Sequence, residues 1–213
     1  MALMFYYGSG SPYAWRVWLA LEHKGIAYEL RVLSFEKGET RSPDYTAINP
    51  RQKVPTIVDG DFVLAESAVI LDYLDEAYPG PRLFSADVKQ RAQQRRLIVD
   101  SDDYYAKAFN DVVDVVIRTK PEQRDPAKLA AARAALAEEL AVWEGRMPGQ
   151  DFMDGTTPAA VDFVLFPRLI LIRRFAQRMP EMAGGLLGPK TEAWLDRMQA
   201  LEIVRKTWPP HWT

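Results

Sequence analysis

The sequence predicts an α/β domain followed by an all-helical one. Two observations carry this. The first eighty residues interleave short apolar or alternating runs with segments of helical period. Beyond Pro79-Gly80-Pro81 the strand signals disappear and only helical periodicity continues.

Taken in order, a strand is predicted over residues 2–7, where an apolar, aromatic run ends in Gly8-Ser9-Gly10. Ser11-Pro12 then opens a helix: serine is a good N-cap, and proline at the first helical position loses only an N–H that would have no partner. Val17, Leu19, Ala20 and Leu21 supply its apolar surface, and Gly25 is its stop. Tyr28, Leu30 and Val32 alternate with Glu29 and Arg31, which predicts a second strand and hence a βαβ unit with parallel strands. The polar stretch 36–44 reads as loop with room for a short helix. Strands over 54–58 and 62–64 flank Asp59-Gly60-Asp61, a hairpin signal because Asp-Gly suits a tight turn. After Glu66-Ser67, Ile70, Leu71 and Leu74 fall at helical spacing, with Tyr73 and Tyr78 alongside.

The second half reads as helices over 87–117, 126–146 and 158–178, with shorter ones to about residue 205. The predicted division is therefore a first domain over 1–80, a linker over 81–86 and an all-α domain over 87–213.

Composition narrows the function classes. Of 213 residues 48% are hydrophobic and 26% charged, enough for a sizeable core. Lys and Arg number 27 against 29 Asp and Glu, so a net charge of −2 makes no electrostatic case for binding nucleic acid. The absence of cysteine excludes disulfide scaffolds, Cys-ligated zinc and a cysteine nucleophile. With only His23 and His211, no metal site is expected. No basic segment precedes the apolar run at 2–7, and the longest apolar stretch, 161–172, is broken by Pro167 and Arg168. It falls short of the roughly 20 residues that span a bilayer. The expectation is a soluble, cytoplasmic protein without a membrane partner.

The order βαβ, α, ββα, with a proline entering the third strand, resembles the thioredoxin-like fold. The run from Ser11 to Glu22 (SPYAWRVWLALE) resembles the first-helix signature of soluble glutathione S-transferases of the serine type, as in bacterial, tau and zeta-like members. Asn49-Pro50 with Lys53-Val54-Pro55 resembles that family's second segment, and Leu64-Ala65-Glu66-Ser67 followed by Ile70 and Tyr73-Leu74 resembles the third. Asp162 with Phe163 and Pro167 is similar to the start of the family's central second-domain helix.

The resemblance implies a set of roles. A bound thiol near a helix N-terminus loses its proton more easily, and the thiolate is the nucleophile. Ser11 is then both the helix cap and the catalytic group that hydrogen-bonds the sulfur of glutathione, with Ser9 and Tyr7 close enough to serve instead. A cis Pro55 would leave the Val54 backbone to pair with the cysteinyl part of the tripeptide, as in strand addition. Lys53 would meet the glycine carboxylate. Glu66 and Ser67 can be read simply as a helix start, with Ser67 as N-cap; the resemblance adds that Ser67 binds the γ-glutamyl carboxylate and Glu66 the ammonium. Tyr13, Tyr104, Tyr105 and Phe109 would line the pocket for the acceptor, and Trp208, counted with them, and Trp212 close that pocket or pin the terminus. Asp100, Asp102 and Asp103 read as a solvated face. One departure is visible: where the family has Ser or Thr three residues before the aspartate of the central helix, this chain has Ala159. Asp162 then lacks a reciprocal partner, and Thr156 or Thr157 is expected to cap a helix starting near Pro158.

The implied activity is glutathione transfer to a hydrophobic electrophilic small molecule. Glutathione is a co-substrate, no metal or other cofactor is expected, and the resemblance implies a homodimer. A glutathione-dependent isomerase of the maleylacetoacetate type and a non-catalytic binding or interaction module are the alternatives.

Overall fold

The computed structural model describes residues 2–116, 118–149 and 151–212. It divides into two compact units, Met1–Val88 together with Gln199–Thr213, and Lys89–Met198.

The first unit is built on β1 (Leu3–Tyr7), α1 (Pro12–Lys24) and β2 (Tyr28–Val32), followed by a 3-10 turn at Glu39–Arg41 and α2 (Pro43–Ile48). β3 (Thr56–Asp59), β4 (Phe62–Ala65) and α3 (Ser67–Ala77) complete it. The strand order is β2-β1-β3-β4. β1 runs parallel to β2 and antiparallel to β3, and β3 pairs antiparallel with β4. This is the thioredoxin-like arrangement expected from the sequence. Leu3, Phe5 and Tyr7 are buried in the central strand, and α1 buries Ala14, Trp15, Val17, Leu19, Ala20 and Leu21. Ser11 caps α1 by accepting from the Ala14 N–H at 3.2 Å. Gly25 closes the helix in the left-handed conformation. β3 starts at Thr56, two residues later than the predicted strand, because Pro55 has no N–H to give the ladder. β2 is an edge strand, which is why its alternation leaves Val32 57% exposed.

The Pro-Gly-Pro segment is tied down. Buried Asp75 of α3 accepts from the Leu83 N–H at 2.7 Å and lies 3.6 Å from the Lys24 ammonium, which itself donates to the Pro81 carbonyl. Gly80, at φ 115°, lets that segment approach α1 closely: a Cβ there would sit 2.7 Å from the Lys24 carbonyl oxygen.

The second unit contains α4 (Val88–Asp100), a π-helical segment at Ser101–Tyr105, α5 (Ala106–Val116), a 3-10 turn at Pro121–Gln123 and α6 (Pro126–Arg146). α7 (Ala160–Arg178), α8 (Pro180–Ala183) and α9 (Pro189–Ala200) follow. α10 (Glu202–Thr207) and a 3-10 turn at Pro210–Trp212 belong to the first unit. The long helix expected over 87–117 is interrupted, and its end at Ile117 lies outside the described residues. The interruption has a cause: Arg168, 3% exposed on α7, donates to both the carbonyl and the hydroxyl of Ser101 and pairs with Asp102. The carbonyl of Ser101 also takes the Ala106 N–H five residues on, the π pattern. The acidic cluster is therefore not simply a solvated face, since Asp100 also pairs with Arg96 and Arg146, at 2.9 and 3.0 Å.

α7 is buried on nearly every side over residues 160–172 and starts at Ala160, close to the expected start near Pro158, but without the expected capping bond from Thr156 or Thr157. Asp162 does reach back: its carboxylate accepts from the Ala159 N–H at 3.1 Å, from the Met153 N–H at 2.9 Å and from the Trp194 indole at 2.9 Å. Burial pushes this carboxyl up to about 7, against the opposing effect of those three donors. Half of the capping box thus survives Ala159, rebuilt with tertiary donors. Among the described residues no helix is long and apolar enough to cross a membrane.

Candidate functional site

The sheet topology gathers three of the sequence motifs at one end. Tyr6 of β1 is in register with Thr56 of β3, and Thr56 with Ala65 of β4. The loop leaving β1 (residues 8–11), the Lys53-Val54-Pro55 entry to β3 and the Glu66-Ser67 exit from β4 therefore share that end. Antiparallel pairing of β3 with both neighbours makes this unavoidable once the register is set.

Ser11 sits at the close of a tight turn. Its N–H donates to the Gly8 carbonyl at 3.0 Å, and Gly10 adopts φ 87° between them. Because the hydroxyl oxygen accepts from Ala14, its hydrogen remains available to a further acceptor. The two alternatives to Ser11 are placed differently. Tyr7 is 1% exposed, packed on Phe5 and Trp18, with burial pushing its hydroxyl up. Ser9 shares a hydrogen bond of 2.9 Å with His211 Nδ1.

The Val54-Pro55 peptide is cis. Its approach is held by side chains from α2 and the following loop. The Lys53 carbonyl accepts from the Tyr45 hydroxyl at 2.6 Å and from Asn49 Nδ2 at 2.9 Å. Asn49 Nδ2 also donates to Thr56 at 3.0 Å, and Asn49 Oδ1 accepts from the Arg51 N–H at 3.0 Å. The backbone N–H and C=O of Val54 have no hydrogen-bond partner among the described residues. The Lys53 side chain is exposed.

Glu66, not Ser67, occupies the N-cap position of α3, without a side-chain capping bond. Its φ of 68° is strained for a residue with a side chain, and it is solvent-exposed. Ser67 is the first helical residue and 4% exposed. Its hydroxyl oxygen accepts from Arg16 Nε at 2.8 Å and also from Arg16 Nη2. Arg16 is itself 2% exposed, with its guanidinium 5.0 Å from the centre of the Tyr13 ring. A buried cation thus stands directly behind Ser67.

The remaining expected residues fall into two groups. Trp208 borders a cavity of about 450 Å³ with Gln199, Val204, Arg205 and Pro210, and it packs edge-on against Trp15. Tyr104, Tyr105 and Phe109 belong to the second unit. Tyr104 is 64% exposed, whereas Tyr105 is wholly buried, donates to the Arg168 carbonyl and stacks on Phe109. Among the described residues no group of three or more His, Asp or Glu side chains could hold a metal ion.

Sequence reasoning assigned no role to Arg16, Tyr45, Asn49 or His211. Arg16 carried a signal, since an arginine inside an apolar helix face is seldom buried without partners. The contacts of Asn49 stay within seven residues of it, in an irregular turn that periodicity does not describe, whereas the contact of His211 comes from tertiary packing and has no local signature.

Comparisons with known proteins converge on one family. The family model for the glutathione S-transferase N-terminal domain matches residues 10–77. The maleylacetoacetate isomerase of Pseudomonas aeruginosa is 32% identical over 82% of this chain and 82% of its own length. Glutathione S-transferase F10 of Arabidopsis thaliana is 30% identical over 71% of this chain and 73% of its own. The crystal structure of a glutathione S-transferase from the Antarctic clam Laternula elliptica superposes with a TM-score of 0.86 at 30% identity, covering 100% of this chain and 94% of that one. The chain belongs to the glutathione S-transferase family.

Proposed function

We propose that the protein is a glutathione transferase that lowers the thiol pKa of bound glutathione and directs the thiolate onto an electrophilic carbon. The observation that carries this reading is the single sheet end where the capping hydroxyl of Ser11, the unpartnered Val54 backbone and the Glu66-Ser67 pair backed by Arg16 meet. Each feature matches one part of the tripeptide. Ser67 offers a hydroxyl hydrogen and a first-turn N–H to the γ-glutamyl carboxylate, with the Arg16 charge behind it. Glu66 offers a carboxylate to the neighbouring ammonium. Val54 offers one donor and one acceptor to the cysteinyl peptide, and Lys53 a cation to the glycine carboxylate.

The sulfur then lies beside Ser11. The hydroxyl donates to it while the helix N-terminus favours the anion, so the thiol proton passes to solvent and the thiolate forms the C–S bond as the carbon's leaving group departs with its electron pair. On the acceptor side the reading draws on Tyr13, Tyr104, Phe109 and Trp208, with Tyr105 as the ring on which Phe109 stacks. It assigns residues 1–80 to glutathione, 81–86 to the linker and 87–213 to the acceptor. It includes a homodimer and a cytoplasmic location.

The test is the ultraviolet thiolate absorbance of bound glutathione titrated against pH. The reading requires a midpoint well below that of free glutathione, lost in Ser11→Ala. Binding with an unshifted midpoint would leave a binding module only, and absence of binding would overturn the reading. The isomerase relative from P. aeruginosa favours one second reading, glutathione-dependent cis-trans isomerisation of a maleyl-type diacid. Turnover of that substrate with catalytic glutathione would establish it.

A further inference from the structure

We propose that His211 is a positioning residue for sulfur activation, acting through Ser9 on the turn that presents Ser11. The inference rests on the assignment of Ser11 above and adds a residue that lies 200 positions away in sequence.

Three observations place it there. First, His211 Nδ1 shares a 2.9 Å hydrogen bond with the Ser9 hydroxyl. Ser9 and Gly10 are the two central residues of the turn closed by the Ser11 N–H on the Gly8 carbonyl. A restraint on Ser9 is thus a restraint on where the Ser11 hydroxyl points. Second, the imidazole covers Gly10: a Cβ on that glycine would lie 3.3 Å from Nε2 and 3.4 Å from Cε1. With Gly10 at φ 87°, the ring limits the alternative conformations the turn can reach.

Third, the segment carrying His211 is itself anchored. Trp15, Trp208 and Trp212 form a mutual edge-to-face cluster, with centroids 5.3 to 5.8 Å apart and interplanar angles of 84° to 87°. The Trp15 indole donates to Thr207 at 2.8 Å, fixing α10 to α1. Trp212, 8% exposed, follows His211 directly, and its N–H donates to the Pro209 carbonyl. The imidazole is therefore delivered to the turn by a packed aromatic cluster, although it is exposed itself. A tail that only pinned the chain terminus would need the indoles but not the bond to Ser9.

The experiment measures the bound-glutathione thiolate titration and steady-state kinetics in wild type, His211→Ala, His211→Asn, Ser9→Ala and the double variant His211→Ala/Ser9→Ala. Losing one solvent-exposed hydrogen bond that orients a catalytic group predicts about a 3- to 10-fold lower kcat in His211→Ala. The thiol midpoint should rise by roughly half to one pH unit and KM for glutathione should stay within about twofold. His211→Asn, whose amide can occupy the Nδ1 position, should restore most of both. The double variant should be no worse than either single one, because both remove the same bond. Full losses that multiply in the double variant, or a fall in thermal stability with the midpoint unmoved, would overturn the proposal. A midpoint shift abolished by Ser11→Ala but untouched by His211→Ala would overturn this inference and leave the transferase reading intact. An unshifted midpoint in wild type would overturn both.

Discussion

Asn49→Ala perturbs the approach to the candidate peptide-binding backbone through the Lys53 carbonyl, while leaving the side chains assigned to glutathione unsubstituted. Asn49 is 4% exposed and makes three hydrogen bonds, to the Lys53 carbonyl, to Thr56 and from the Arg51 N–H. Each is worth about 1 kcal/mol net. The Arg51 backbone lies at the surface and finds water after the substitution, so its share is discounted. Thr56 is fully buried but keeps Tyr45 as a partner, and so does the Lys53 carbonyl. The expected cost is about 2–3 kcal/mol, including the small void left behind. For a chain of this length that lowers Tm by roughly 4–12 °C. Tyr45→Phe, which removes the other donor to the same carbonyl, should cost about 1–2 kcal/mol. Because Lys53 leads directly into Val54, the freed segment should weaken glutathione binding. KM for glutathione should rise about tenfold with kcat at saturation within about twofold. Thermal unfolding and steady-state kinetics on the same preparations check both halves. A stability loss of the expected size with an unchanged KM would refute the claim that this network positions Val54. Unchanged stability would refute the bond accounting itself.

Three further outcomes follow from other contacts. Arg16→Met, which keeps the volume but removes both donors to Ser67, should weaken glutathione binding at least about tenfold, since charge-assisted hydrogen bonds are worth about 1.5–3 kcal/mol. Titration calorimetry should show that wild type, unlike the variant, strongly prefers glutathione over an analogue lacking the γ-glutamyl carboxylate. Asp162→Ala leaves three N–H donors without their acceptor and should cost about 3 kcal/mol or more in urea unfolding, with the second unit losing most. Asp59 accepts from the Tyr78 and Tyr73 hydroxyls, which hold its carboxyl below the usual carboxylate range. Its stabilisation is complete above the ordinary carboxylate pKa and is lost as pH falls through the depressed one. Asp59→Asn should therefore lower stability by about 1–2 kcal/mol at neutral pH and converge with wild type in strong acid; a difference that widens on acidification would contradict the assignment.

Much of the molecule follows from local rules. The βαβ unit, the Asp59-Gly60-Asp61 hairpin and the Ser11 cap are short-range choices, set by apolar period, turn chemistry and the missing N–H of proline, and the structure contains each of them. The family resemblance was likewise carried by contiguous motifs. What tertiary structure decided is of another kind. Arg168 interrupts the expected helix at Ser101 because a buried guanidinium must satisfy its donors on whatever carbonyl is near. Asp162 keeps its cap function beside Ala159 because Met153 and Trp194 fold back onto it. Ser67 is turned from the expected N-cap into an acceptor for Arg16, 51 residues away. His211 reaches Ser9 across 202 residues. Hydrogen bonds at such separations depend on which faces pack together, and a pattern of period 2 or 3.6 says which residues are inside without saying which of them meet.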